Sequence, residues 1–190
     1  MNPPHFNADF DLRVVVPPPR ATGWVASPQP GVQRHRLDRV GGEVARATSI
    51  VRYDAGSSFA RHSHGGGEEF LVLEGTFSDE HGDYAAGSYV RNPPGTSHQP
   101  FSRNGCTLFV KLWQFSAGDT EPVNIATRET AWRPGLVPGL AVMPLHEFDG
   151  ISTALVRWAP HTRFNTHTHP GGEEILVLEG LFRDEHGEYP

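Results

Sequence analysis

A single cysteine, Cys106, stands among 190 residues, so the chain can close no disulfide within itself and suits a reducing compartment. Long apolar runs are missing too. None approaches the roughly 20 residues a membrane helix needs, and the start Met1-Asn2-Pro3-Pro4-His5 lacks the apolar stretch of a signal peptide. The expected place is the cytoplasm, with no membrane partner. Positive charge is scarce: 16 Lys and Arg face 22 Asp and Glu, a net charge of −6, which leaves no basic stripe for nucleic acid. No window carries a long helical period with caps, so helix should be rare. What is abundant is Gly (21) and Pro (17), set between short β-branched and aromatic runs. That is the punctuation of a strand-rich fold with many turns, and the class expected is all-β.

Residues 56–102 carry the chemistry. Gly56, His62, His64, Glu68 and Gly75 fit the spacing G-x5-H-x-H-x3-E-x6-G, and Gly87, Pro93, Gly95 and His98 fit G-x5-P-x-G-x2-H. Three imidazoles and one carboxylate converging from two strands make a coordination set for a divalent transition metal. Side chains alternate faces along a strand, so His62, His64 and Glu68 share a face if the Gly65-Gly66-Gly67 run stays extended. The same face continues through Phe70 and Val72, while Glu69, Leu71 and Leu73 take the other. A bulge in the glycines would exchange Glu68 for Glu69; without one, Glu68 is the ligand. The Pro93-Pro94-Gly95 turn delivers His98 from a second strand.

Taken in order, residues 1–10 read as a loose arm and Arg13 to Val16 as a first strand stopped by Pro17-Pro18-Pro19. Further strands are expected near 32–40 and over Thr48 to Tyr53, Glu69 to Leu73, Phe77 to Ser78, Ser88 to Arg91 and Cys106 to Phe115. His81 and His186 belong to hairpin tips, and Cys106 to a buried strand. The chain then repeats itself: Gly66–Tyr84 and Gly171–Tyr189 agree at 15 of 19 positions with an offset of 105. Upstream the offset is 108, with Trp24 matching Trp132 and Leu37 matching Leu145. The second copy keeps His167, His169 and Glu173, with His161 in place of the leading glycine. The counterpart of His98 would fall at 203, beyond Pro190, so the second copy is expected to be truncated and to hold metal weakly or not at all.

The paired motifs resemble those of the cupin superfamily. More closely, the run from Arg46 to Trp113, with HSHGGGEEFLVLEGTFSDEHGDYAAGSYVRNPPGTSH and GCTLFVKLW, resembles the ChrR-type cupin domain found in anti-sigma factors and in stand-alone bicupins. The resemblance implies tandem double-stranded β-helix (jelly-roll) barrels, a complete one over 10–118 and an incomplete one over 119–190. It also implies zinc at His62, His64, Glu68 and His98, with Fe(II), Mn(II) and Ni(II) as alternatives. Anti-sigma members carry an additional zinc domain with a His-x3-Cys-x2-Cys signature, which a chain with Cys106 alone lacks, so a sigma-factor partner is not expected. The expected function is a sensory or regulatory module responding to a small molecule or oxidant. The alternative is a metal-dependent dioxygenase acting on a small diketone-like or aromatic ketone substrate, whose catalytic residues the sequence does not identify. Leu71, Leu73, Leu176 and Leu178 form outward apolar rows, which implies tight packing between the copies or a homodimer.

Overall fold

Alternating apolar and polar residues between glycine-rich turns fold into strands with no helix among the described residues, which are 5–19 and 23–190 of a computed structural model. The strands open with β1 (His5–Phe6), β2 (Val25–Ala26), β3 (Val32–Val40), β4 (Arg46–Tyr53), β5 (Ser57–Ser58) and β6 (His62–Ser63). Then come β7 (Glu68–Asp79), β8 (Gly82–Ala85), β9 (Ser88–Asn92), β10 (Ser97–His98), β11 (Phe101–Ser102) and β12 (Cys106–Leu112). The last are β13 (Val123–Ala126), β14 (Arg133–Pro134), β15 (Leu140–Phe148), β16 (Ile151–Trp158), β17 (Phe182–Asp184) and β18 (Gly187–Tyr189).

An antiparallel sheet runs β1-β3-β4-β12-β7-β11-β5, with β2 added to β3, β8 and β9 to β7, and β13 to β9. The small pair β6-β10 stands apart, as do β14-β15-β16 and β17-β18 in the second copy. Among the described residues these ladders do not close into a ring.

The long strand β7 organises the first copy. Phe70 and Val72 point into a core with Val32, Tyr53, Phe77, Val90, Cys106, Leu108 and Val110. Leu71 points the other way, into a second core with Tyr89, Met143 and Leu145, and Leu73, Phe109, Trp132 and Leu155 pack around it. The outward leucines of copy 1 are therefore covered by β15 and β16 of copy 2. Leu176 is half-buried and Leu178 stays 53% exposed, so the matching pair in copy 2 is not covered in the same way.

Several sequence expectations shift. Glu69 to Leu73 and Phe77 to Ser78 are one strand, because a bulge accommodates Leu73: Leu108 pairs with Val72 and Thr107 with Glu74. That extra residue resets the face parity and turns Phe77 inward beside Phe70. Gly75 lets the strand pass, since a Cβ there would lie 2.2 Å from the Gly105 carbonyl oxygen, at a φ of +71°. Arg13 to Val16 forms no strand; Val14 and Val15 are exposed, and the prolines that follow offer no N–H to a ladder. In the arm, Met1–Pro4 lies outside the described residues, but His5 and Phe6 pair with Val40 and Arg39 and are not loose. β12 ends at Leu112 rather than Phe115, where Trp113 turns at φ +59°.

Candidate metal centre

Two of the shortest strands among the described residues bring the motifs together. β6 and β10 pair so that His62 faces His98 and Ser63 faces Ser97. Backbone bonds extend the junction, from His64 N to Thr96 O at 2.9 Å and from Gly95 N to His64 O at 2.9 Å. Glu68 begins β7 opposite Asn92, whose amide donates to Glu68 Oε1 at 3.3 Å. The glycine run between His64 and Glu68 is required by what lies on it. A Cβ on Gly66 would meet the Trp113 ring at 2.3 Å, and one on Gly67 the Phe115 ring at 2.2 Å. The run is not extended as the sequence suggested: Gly65 and Gly66 make a turn that brings Gly67 N to His64 O at 3.4 Å, with φ +79° at Gly67. Glu68 still joins the histidines, and Trp113 N closes the loop on Gly67 O at 3.1 Å.

His62, His64, Glu68 and His98 each offer one ligand atom, and the four atoms lie within 4.8 Å of one another. The imidazole centroids are 5.2, 4.9 and 4.6 Å apart. Each ring anchors its Nδ1: His62 to Ala60 O at 3.0 Å, His64 to Thr96 Oγ1 at 3.0 Å, His98 to Asp79 Oδ2 at 3.2 Å. Those contacts turn the Nε2 atoms of His64 and His98 toward Glu68 Oε1, at 3.6 and 3.5 Å. Both Nε2 atoms are buried with no hydrogen-bond partner. Glu69, on the opposite face, accepts from Arg91 Nε at 3.3 Å and does not join the group.

Electrostatics suit a cation. Desolvation, with smaller contributions from the rings of His98 and His62, lowers His64 to about 3. His98 is lowered as well, first by desolvation and then by His62, against a partial pull from Asp79. Desolvation raises Glu68 to about 7, with the Asn92 bond opposing it. Burial therefore disfavours charge on every one of these groups while no cation is present, and His64 and His98 stay neutral with lone pairs free to coordinate.

In copy 2, His167 and His169 are adjacent, with ring centroids 4.6 Å apart, and His169 Nε2 is 3.6 Å from Glu173 Oε1. All three are exposed, and among the described residues no fourth His, Cys, Asp or Glu completes a cluster with them. The segment after Glu173, counterpart of the start of β7, forms no strand, and Ile175 is exposed. Sequence reasoning missed Asp79, Asn92 and Thr96, whose hydrogen bonds orient His98, Glu68 and His64. A signal existed for Asp79, which lies in the repeated Asp-Glu-His-Gly tip.

The family model of the ChrR cupin-like domain matches residues 13–116 and 120–190. No curated protein matches the chain. Among solved structures, a proposed dioxygenase from Nostoc punctiforme aligns with a TM-score of 0.59 at 14% identity, over 74% of this chain and 57% of that one. The acetylacetone dioxygenase from Acinetobacter johnsonii aligns at 0.47 and 20% identity, over 62% of this chain and 90% of its own. The complex of SigE with the anti-sigma factor ChrR from Rhodobacter sphaeroides gives 0.40 and 25% identity, over 47% of each chain. At these identities the Nostoc match speaks for the fold alone. No helix among the described residues is long and apolar enough to cross a membrane.

Proposed function

The chain belongs to the ChrR cupin-like domain family, and from that premise we propose that it holds one divalent metal ion at His62, His64, Glu68 and His98 and works as a metal-dependent sensory or regulatory module. The observation that carries this reading is the pair of buried Nε2 atoms, on His64 and His98, that face one carboxylate and have no partner. An unsatisfied buried polar atom costs about 1–3 kcal/mol, and a cation between these groups would relieve both at once. Zn(II) is the metal proposed, because three imidazoles and a carboxylate can fill a tetrahedral site; Fe(II), Mn(II) and Ni(II) accept the same donors. When bound, such an ion supplies a cross-link between the two motifs and a Lewis-acid centre.

One feature favours a sensory role: all four donors come from the chain itself, the arrangement of a closed site. The dioxygenase reading has one observation on its side: His62 is only half-buried, so that flank of the cluster meets solvent and could admit a small diketone-like or aromatic ketone substrate. Metal analysis of protein purified without added metal tests the first claim. One equivalent is expected in the wild type and none in His64→Ala, with a lower melting temperature for the variant; unchanged metal content in His64→Ala would sink it. Oxygen uptake with a panel of diketones separates the roles, since steady turnover would replace the sensory reading with the enzymatic one.

A further inference from the structure

Asp79 ends β7 and is 8% exposed, although it is an acid on a hairpin tip. Its two oxygens do different things. Oδ1 accepts from His81 N at 2.8 Å, Gly82 N at 3.2 Å and the Tyr84 hydroxyl at 3.3 Å. Oδ2 is left for a single donor, the Nδ1 of His98 at 3.2 Å. The second copy builds the same mount without a metal-site histidine. Asp184 Oδ1 accepts from His186 N at 2.8 Å, Gly187 N at 3.0 Å and the Tyr189 hydroxyl at 3.0 Å. There the free Oδ2 takes Arg13 Nη2, at 2.8 Å. Because the oxygen is oriented the same way with a different partner, the orientation belongs to the hairpin sequence Asp-Glu-His-Gly-x-Tyr and not to the histidine.

We propose that Asp79 is the positioning residue for the fourth ligand, holding the single proton of neutral His98 on Nδ1 so that the bare Nε2 faces the ion. A neutral imidazole has one N–H and one lone pair, and an acceptor at Nδ1 decides which nitrogen keeps which. His62 and His64 are oriented by weaker, neutral acceptors, the Ala60 carbonyl and the Thr96 hydroxyl, which itself donates to Pro93 O at 2.7 Å. Among the three rings only His98 is backed by a carboxylate, which also raises its basicity toward a metal. This inference rests on the metal-binding reading.

Asp79→Asn tests it, since the amide oxygen can still accept from His81, Gly82 and Tyr84 while the amide nitrogen presents a donor where Oδ2 accepted. His98 must then keep its proton on Nε2, the wrong nitrogen. Zn²⁺ affinity, measured by competition with a chromophoric chelator, should fall roughly 10–100-fold. Asp184→Asn makes the same change in the other hairpin and should leave that affinity as in the wild type. Nitrogen-15 NMR of the metal-free wild type should find the His98 proton on Nδ1, a measurement that needs no folded variant. A proton on Nε2 in the wild type, or an Asp79→Asn affinity within about threefold of the wild type, would overturn the role of Asp79. Absence of zinc binding by the wild type would instead sink the metal-binding reading, and the tautomer distinguishes the two failures.

Discussion

Glu68 and Glu69 are neighbours in sequence and opposites in chemistry, because one turns into the apolar core with three imidazoles and the other meets Arg91. Desolvation raises Glu68 to about 7, so without metal it carries a proton at mildly acidic pH, and coordination must expel that proton. Proton release on metal binding should therefore rise as pH falls through 7, and apparent affinity should weaken in step. Calorimetry in buffers of different ionisation enthalpy reads this directly; release independent of pH between 6 and 8 would argue against Glu68 as a ligand. At Gly66 the constraint is steric. A Cβ would sit 2.3 Å from the Trp113 ring, so Gly66→Ala should cost about 1–3 kcal/mol of stability and loosen the ligand loop. Denaturant unfolding with and without zinc measures both effects, and an unchanged midpoint would mean that Trp113 moves aside freely.

At the level of the elements, alternation in β7 could be read from the sequence as far as Val72. Glu68, Phe70 and Val72 face inward and Leu71 outward, as a period of two requires. Beyond that point the sequence misleads, because the bulge at Leu73 is set by pairing with β12, and the passage of the strand through Gly75 depends on the close approach of Gly105. Val14 and Val15 look like a strand but find no ladder, since pairing is a property of two segments and not of one. Asp79 and Thr96 could not be assigned from spacing for the same reason: their partners are 19 and 32 residues away. The outer face of β9 carries a further prediction. Arg91, 4% exposed, binds Glu69 on β7 and Asp119 at 2.9 Å, and Asp119 also takes His146 Nε2 of β15 at 3.0 Å. Desolvation works to raise Asp119, but bonds from Arg91 and His146 outweigh it and leave the carboxyl below its ordinary value. Arg91→Ala would take the guanidinium from two buried acids, leaving Asp119 with His146 alone, and should cost about 3–5 kcal/mol; thermal unfolding would show it, and a loss under about 1 kcal/mol would mean water replaces the guanidinium.

The two copies use one sequence pattern in two settings, and the setting decides the chemistry. In copy 1 the first motif is folded against the second, so His64 loses water and its Nε2 faces the Glu68 carboxylate at 3.6 Å. In copy 2 the same His-x-His-x3-Glu spacing lies on a segment with no strand beside it, and His167, His169 and Glu173 stay solvated. Water already satisfies those donors, so a metal would displace hydration without relieving any buried atom, and three ligands hold an ion less firmly than four. Meanwhile copy 2 serves as cover: Met143 and Leu145 close the outward face of Leu71, and Met143→Ala should destabilise copy 1 by about 2–4 kcal/mol although it touches no ligand. The division of labour predicts a stoichiometry. This 190-residue chain should take up one tightly held equivalent of zinc, and His167→Ala with His169→Ala should leave that figure unchanged while His62→Ala removes it. Two equivalents of equal affinity, with one lost in the copy 2 double variant, would mean that the exposed triad finds a fourth donor and that the copies share the work of binding metal.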